Sequence, residues 1–113
     1  MFMTNIELFH SLCEKYDLKI MSETAIEGYA IPKSNRLHFS GYIIKYTEDN
    51  LYIANFPDIE DKTVYFCGQL AINNDLDIHN RIMTYLINPI NQREKELKEL
   101  DNQKELDEIK KDF

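Results

Sequence analysis

Between Leu37 and Gly68 the chain alternates, but it does not alternate apolar with polar. One parity collects Leu37, Phe39, Ile43, Leu51, Ile53, Val64 and Phe66. The other collects Tyr42, Ile44, Tyr46, Tyr52, Phe56, Tyr65 and Cys67. Successive strand residues point to opposite faces, so an antiparallel sheet with one wet side would show a polar parity. This pattern predicts a sheet that is covered on both faces or that keeps a tyrosine-rich face for a partner. "TEDN" and "FPDIED" are the turn signals that divide the stretch into strands over 37–47, 51–56 and 62–68. "LKIM" and "TAIEGYAI" read as two further short strands ahead of it, the second ended by Pro32. Three to five strands in an antiparallel meander is the economical topology, and a bulge at Ser40-Gly41 would exchange the parities of the first long strand.

Helices flank the strands. Thr4-Asn5-Ile6-Glu7 is a capping box, with Met3 and Leu8 at the positions of a hydrophobic staple. Ile6, Leu8, Phe9, Leu12, Cys13 and Tyr16 form one stripe, which predicts a helix over 4–16. After "NNDLD", a source of N-caps near Asp75, a second stripe runs through Ile78, Ile82, Met83, Leu86, Ile90, Leu97 and Leu100. Asn88-Pro89 interrupts it as a cap followed by a first-turn proline, giving two helices or one kinked at Pro89. The fold class is therefore α+β: an N-terminal helix, the meander, then the C-terminal helices. The order resembles that of the double-stranded-RNA-binding domain family in topology alone. That family opens its last helix with lysines, whereas "NNDLDIHN" stands here.

Residues 1–100 read as a single domain and 101–113 as a charged helical extension. In the extension Leu106, Ile109 and Phe113 lie on a side of the helix that the Ile78–Leu100 stripe does not use. That offset marks them as candidate partner contacts.

Composition narrows the function classes. The net charge of −7 disfavours direct contact with nucleic-acid phosphates or anionic membranes and favours basic partners. No run approaches the roughly 18 apolar residues of a membrane span, and the N-terminus lacks the basic start of a secretory signal. A cytoplasmic protein follows, in which Cys13 and Cys67 stay reduced. Richness in Ile, Asn and Lys is what AT-rich codons supply, pointing to a low-GC bacterium, its phages or mobile elements.

Three sets of residues carry the candidate chemistry. In a meander, Glu48 and Asp49 approach Asp75 and Asp77 at one sheet edge, while Asp58, Glu60 and Asp61 occupy the other. Such acidic rims suit a nucleic-acid-binding protein. Tyr42, Tyr52 and Tyr65 share one parity and form the candidate aromatic hot spot. His10 and Cys13, spaced i,i+3, could bind zinc with Cys67 and His79 or His38. Asp77-Ile78-His79 offers only a first-turn pair, and no nucleophile elbow or phosphate loop accompanies it.

The sequence thus reads as a small acidic protein-binding module rather than an enzyme. Its sharpest form is an inhibitor that blocks a nucleic-acid-binding protein such as a CRISPR or restriction nuclease. A zinc-stabilised domain and a homodimer paired through helices 75–100 are the alternatives.

Overall fold

The computed structural model describes residues 4–72 and 78–111, with side chains of the last helix as far as residue 104. Helix α1 (Asn5–Lys15) begins where the capping box predicts. The Thr4 hydroxyl accepts from the Glu7 amide at 3.1 Å, satisfying one of the orphan donors of the first turn. Its buried face is Phe9, Leu12 and Cys13. Asp17, at φ 53°, reverses the chain into strand β1 (Leu18–Glu23), which pairs antiparallel with β2 (Glu27–Pro32). The register slips between Ile20 and Ser22, leaving Met21 as a bulge.

The predicted strand over 37–47 is two strands in two different sheets. Strand β3 (His38–Ser40) ends at Gly41, whose φ of 92° only glycine adopts at little cost, and β4 (Ile44–Thr47) follows. Beyond β5 (Leu51–Ile53), "FPDIED" is mostly strand rather than turn. Its first five residues are β6 (Phe56–Glu60), and the reversal falls at Asp61, φ 51°, before β7 (Thr63–Cys67). Pro57 is tolerated because β6 is an edge strand, where a missing amide breaks no ladder. A short β8 (Leu70–Ala71) completes the strands.

The predicted α+β class holds, with an antiparallel sheet of several strands, but the strands predicted as a single meander are divided between two sheets. Strands β1-β2-β4-β5-β8 make an antiparallel sheet of five, while β3-β7-β6 make a sheet of three in which β3 and β7 run parallel. Because the chain changes sheet at Gly41, the parities sort differently from their order in the sequence. Ile44 pairs with Ile53 and Tyr46 with Leu51, so these four share the inner face of the five-stranded sheet. Ile43 and Ile44, neighbours in sequence, are both fully buried.

Two cores result. The first lies between α1, the start of the C-terminal helix and the five-stranded sheet, with Phe9 set edge-on against Tyr46 at 4.8 Å between ring centroids. The Tyr46 hydroxyl donates to the Thr24 carbonyl at 2.5 Å, so this buried phenol is satisfied. The second joins Leu37 and Val64 to Ile90 and Leu97, with Phe66 packed against both cores.

The C-terminal helix passes through Pro89 without a break. Helix α2 (Ile78–Arg81) leads into a π-helical segment (Ile82–Ile87) and then α3 (Asn88–Lys111). Asn88 is helical, at φ −61° and ψ −46°, and its amide donates to the Met83 carbonyl five residues back. It is therefore not an N-cap. A widened turn just before Pro89 changes the hydrogen-bond pairing where the proline ring and missing amide would disrupt an α-helix.

Ile78, Ile82, Leu86, Ile90 and Leu97 are buried on the chain's own sheets, whereas Met83 and Leu100 at the stripe's margins are exposed. The stripe proposed for pairing two copies is thus occupied within one chain. Ion pairs continue the docking of α3, from Arg93 to Asp61 and from Arg36 to Asp101. Arg93 also donates to the Asp61 carbonyl at 2.9 Å. The 24-residue α3 stretches the molecule to 66 Å in its longest dimension. Among the described residues no helix is long and apolar enough to cross a membrane. Met3 and the "NNDLD" cap lie outside the described residues.

Candidate functional site

Antiparallel register builds a row of side chains across the outer face of the five-stranded sheet. Ser22 stands opposite Tyr29, Tyr29 opposite Lys45, Lys45 opposite Tyr52 and Tyr52 opposite Ala71. Lys19 and Ile31 form the next pair along. The first core occupies the other face of this sheet. Tyr42 leans over the row: the Lys45 ammonium lies 5.6 Å from its ring centroid, and its hydroxyl donates to Gln69 Oε1 at 2.5 Å. The Tyr52 hydroxyl accepts from Asn50 Nδ2 at 3.3 Å. Burial, and then the neighbouring Tyr52, push the Tyr42 phenol above its ordinary pKa, which keeps it a neutral donor. Ser22, Glu27, Tyr29, Tyr42 and Lys45 border a shallow depression of about 350 Å³.

Tyr65 is not part of this face. On the three-stranded sheet Phe56 stands opposite Cys67, Asp58 opposite Tyr65, and Glu60 opposite Thr63. Alternation turns Val64, Ile59 and Phe66 to the second core and leaves Phe56 (54% exposed) and Tyr65 (42%) outside with the two carboxylates. The single tyrosine face expected from parity is therefore two faces of different chemistry. One is tyrosine with lysine, the other aromatic with carboxylate.

The predicted acidic rim is described in part. Glu48 and Asp49 are exposed in the turn that Thr47 and Asn50 close. Ile72 donates to the Leu51 carbonyl at 2.7 Å, and Asp75 and Asp77 lie outside the described residues. Leu106 and Ile109 fall within α3, but their side chains, like Phe113, also lie outside them.

The four candidate zinc ligands are not gathered. His10 is hydrogen-bonded to Glu23. Burial, and then Glu23, push the Cys13 thiol up to about 11, disfavouring the thiolate that a metal needs. Cys67 sits on the other sheet, its thiol donating to the Tyr65 carbonyl. His79 Nδ1 is held by the Tyr16 hydroxyl at 2.5 Å and by Lys15 at 3.3 Å. An ammonium only donates, so Nδ1 is the acceptor in that arrangement. Among the described residues no group of three or more His, Cys, Asp or Glu is placed to hold a metal ion.

The two thiols are expected to differ in reactivity. Iodoacetamide at pH 8 should alkylate Cys67 readily in the native protein and Cys13 only after unfolding. Intact mass spectrometry checks this, and rapid double labelling of folded protein would contradict the burial of Cys13.

No protein-family model matches the chain, and no curated protein or solved structure matches it. Tyr29, Lys45 and Lys19 were missed in the sequence: "EGYAIP" does not alternate polar with apolar residues, and the outward position of Tyr29 shows only in the buried-exposed pattern of the folded strand. Asp58 and Glu60 were expected at a sheet edge; because "FPDIED" reads as a turn, their place on one strand face with Phe56 was not.

Proposed function

We propose that this chain is a non-catalytic protein-binding module, an antagonist that occupies the basic surface of a nucleic-acid-binding protein. The observation that carries this reading is the outer face of the three-stranded sheet. Phe56 and Tyr65 supply rigid aromatic area of the kind that dominates interface energetics, and Asp58, opposite Tyr65, and Glu60, the next outward position, supply anions beside them. Alternate strand positions space these carboxylates about 6.8 Å apart, so a row of cations on a partner can meet them separately. The net charge of −7 draws basic partners to the whole molecule. A phage or mobile-element inhibitor of a CRISPR or restriction nuclease is the specific form this reading takes.

The test compares immobilised wild type with the Asp58→Lys/Glu60→Lys variant in lysate of a low-GC bacterium, eluting with duplex DNA. Wild type is expected to release nucleic-acid-binding proteins, and the variant about tenfold less, as loss of charge complementarity predicts. Equal recovery from both, or no protein displaced by DNA, would overturn the reading.

A further inference from the structure

Beyond the acidic face, we infer that the outer face of the five-stranded sheet is a second docking site, for an acidic, extended peptide segment of a partner protein. Among the described residues, neither Lys19 nor Lys45 makes an ion pair with a carboxylate. In a chain of net charge −7 these two lysines make this face a cationic island, and Lys45 stands in a frame of tyrosines. Glu27 at the border of the depression is the one carboxylate on its lining. It limits the anionic ligand to the side where the lysines lie.

Register sets what spacing of anions fits. Lys19 and Lys45 flank β2 on opposite sides, opposite Ile31 and Tyr29 respectively. Two strand spacings across and two residues along place their backbones about 12 Å apart. In an extended peptide, side chains at i and i+4 point the same way and are separated by about 13 Å. Carboxylates at those positions reach both ammoniums, and the side chain at i+2 falls between them, over Tyr29 and Ile31. An aromatic or branched apolar residue there meets an apolar surface, with the Tyr29 hydroxyl available to a carboxylate.

A single-stranded nucleic acid also pairs anions with stacking groups. It fits less well, because two cations neutralise few phosphates and each additional phosphate meets the negative field of the chain.

The probe is a fluorescein-labelled peptide, Gly-Glu-Thr-Phe-Thr-Glu-Gly, followed by fluorescence anisotropy. It is expected to bind wild type in a salt-sensitive manner and to bind Lys19→Glu/Lys45→Glu about tenfold more weakly or worse. Tyr29→Ala should weaken it as well, with circular dichroism confirming that both variants stay folded. The same peptide with lysines for glutamates should gain nothing from Lys19 and Lys45, any binding it shows depending instead on Asp58 and Glu60, and one with glutamates at i and i+2 should bind less tightly. Asp58→Lys/Glu60→Lys, on the other sheet, should leave binding intact, so this inference and the proposed function fail separately. No binding of the acidic peptide, or binding that ignores the lysine substitutions, would overturn the inference. Tighter, lysine-dependent binding of oligothymidylate would overturn it in favour of nucleic acid.

Discussion

Replacing Phe9 with alanine is expected to cost about 4 kcal/mol of folding stability, the middle of the range for a buried phenylalanine. The side chain is fully buried, and the cost depends on whether its surroundings can collapse into the space it leaves. Here they are held. The Tyr46 ring that faces it at 4.8 Å is anchored by its hydroxyl to the Thr24 carbonyl. Behind that ring lies Gly28, where an added Cβ would stand 2.4 Å from Tyr46 Cε1 and 2.7 Å from the Ser22 carbonyl oxygen. The tyrosine is therefore fixed between a glycine floor and a helix, and the cavity should persist. Urea denaturation checks this: the midpoint should fall with an unchanged slope. A loss below about 1 kcal/mol would mean that this ring pair does not organise the first core.

That core shows which parts of the molecule were legible in the sequence. Helix α1 was, because both of its signals are local: the Thr4–Glu7 cap and a stripe at helical spacing. The strands were only partly so. "FPDIED" contains three acids and a proline, the residues of turns, yet Pro57 and Ile59 alternate with Phe56, Asp58 and Glu60 as a strand requires. Composition and period disagreed, and pairing with β7 decided for the period. Gly41 was visible as a place where the parity could slip. Nothing near it shows that β3 would pair parallel to β7 while β4 joined a different sheet.

The candidate sites inherit that uncertainty about register. Tyr42 and Tyr52 do share a face, but Tyr65 was separated from them by the change of sheet. Lys45 became the centre of the tyrosine row only because β2 and β5 flank β4 at that position. Cross-strand neighbours are contacts between distant parts of the chain, and one sequence does not encode them in any short pattern.

The second large effect is expected at Ile90, and it reports on whether the molecule behaves as one unit. Ile90→Ala should cost about 3 kcal/mol, since the side chain is 2% exposed and closes the second core together with Leu37, Val64 and Leu97. The residue follows Pro89, where the helix has just left the first core. Ile82 and Leu86 belong to that first core, so one continuous helix is shared between the two. Phe66 provides a second tie, because it packs against both. Loosening α3 from the three-stranded sheet should therefore be felt across the five-stranded sheet. The expected result is a single cooperative transition at a lower midpoint, with far-ultraviolet and tyrosine near-ultraviolet signals still coincident. Hydrogen exchange at Ile44 and Leu51, far from the substitution in sequence, should accelerate with it. If those amides kept their protection while β6 and β7 lost theirs, the two cores would be separate units. The aromatic and acidic face would then ride on a sheet that opens independently of the rest.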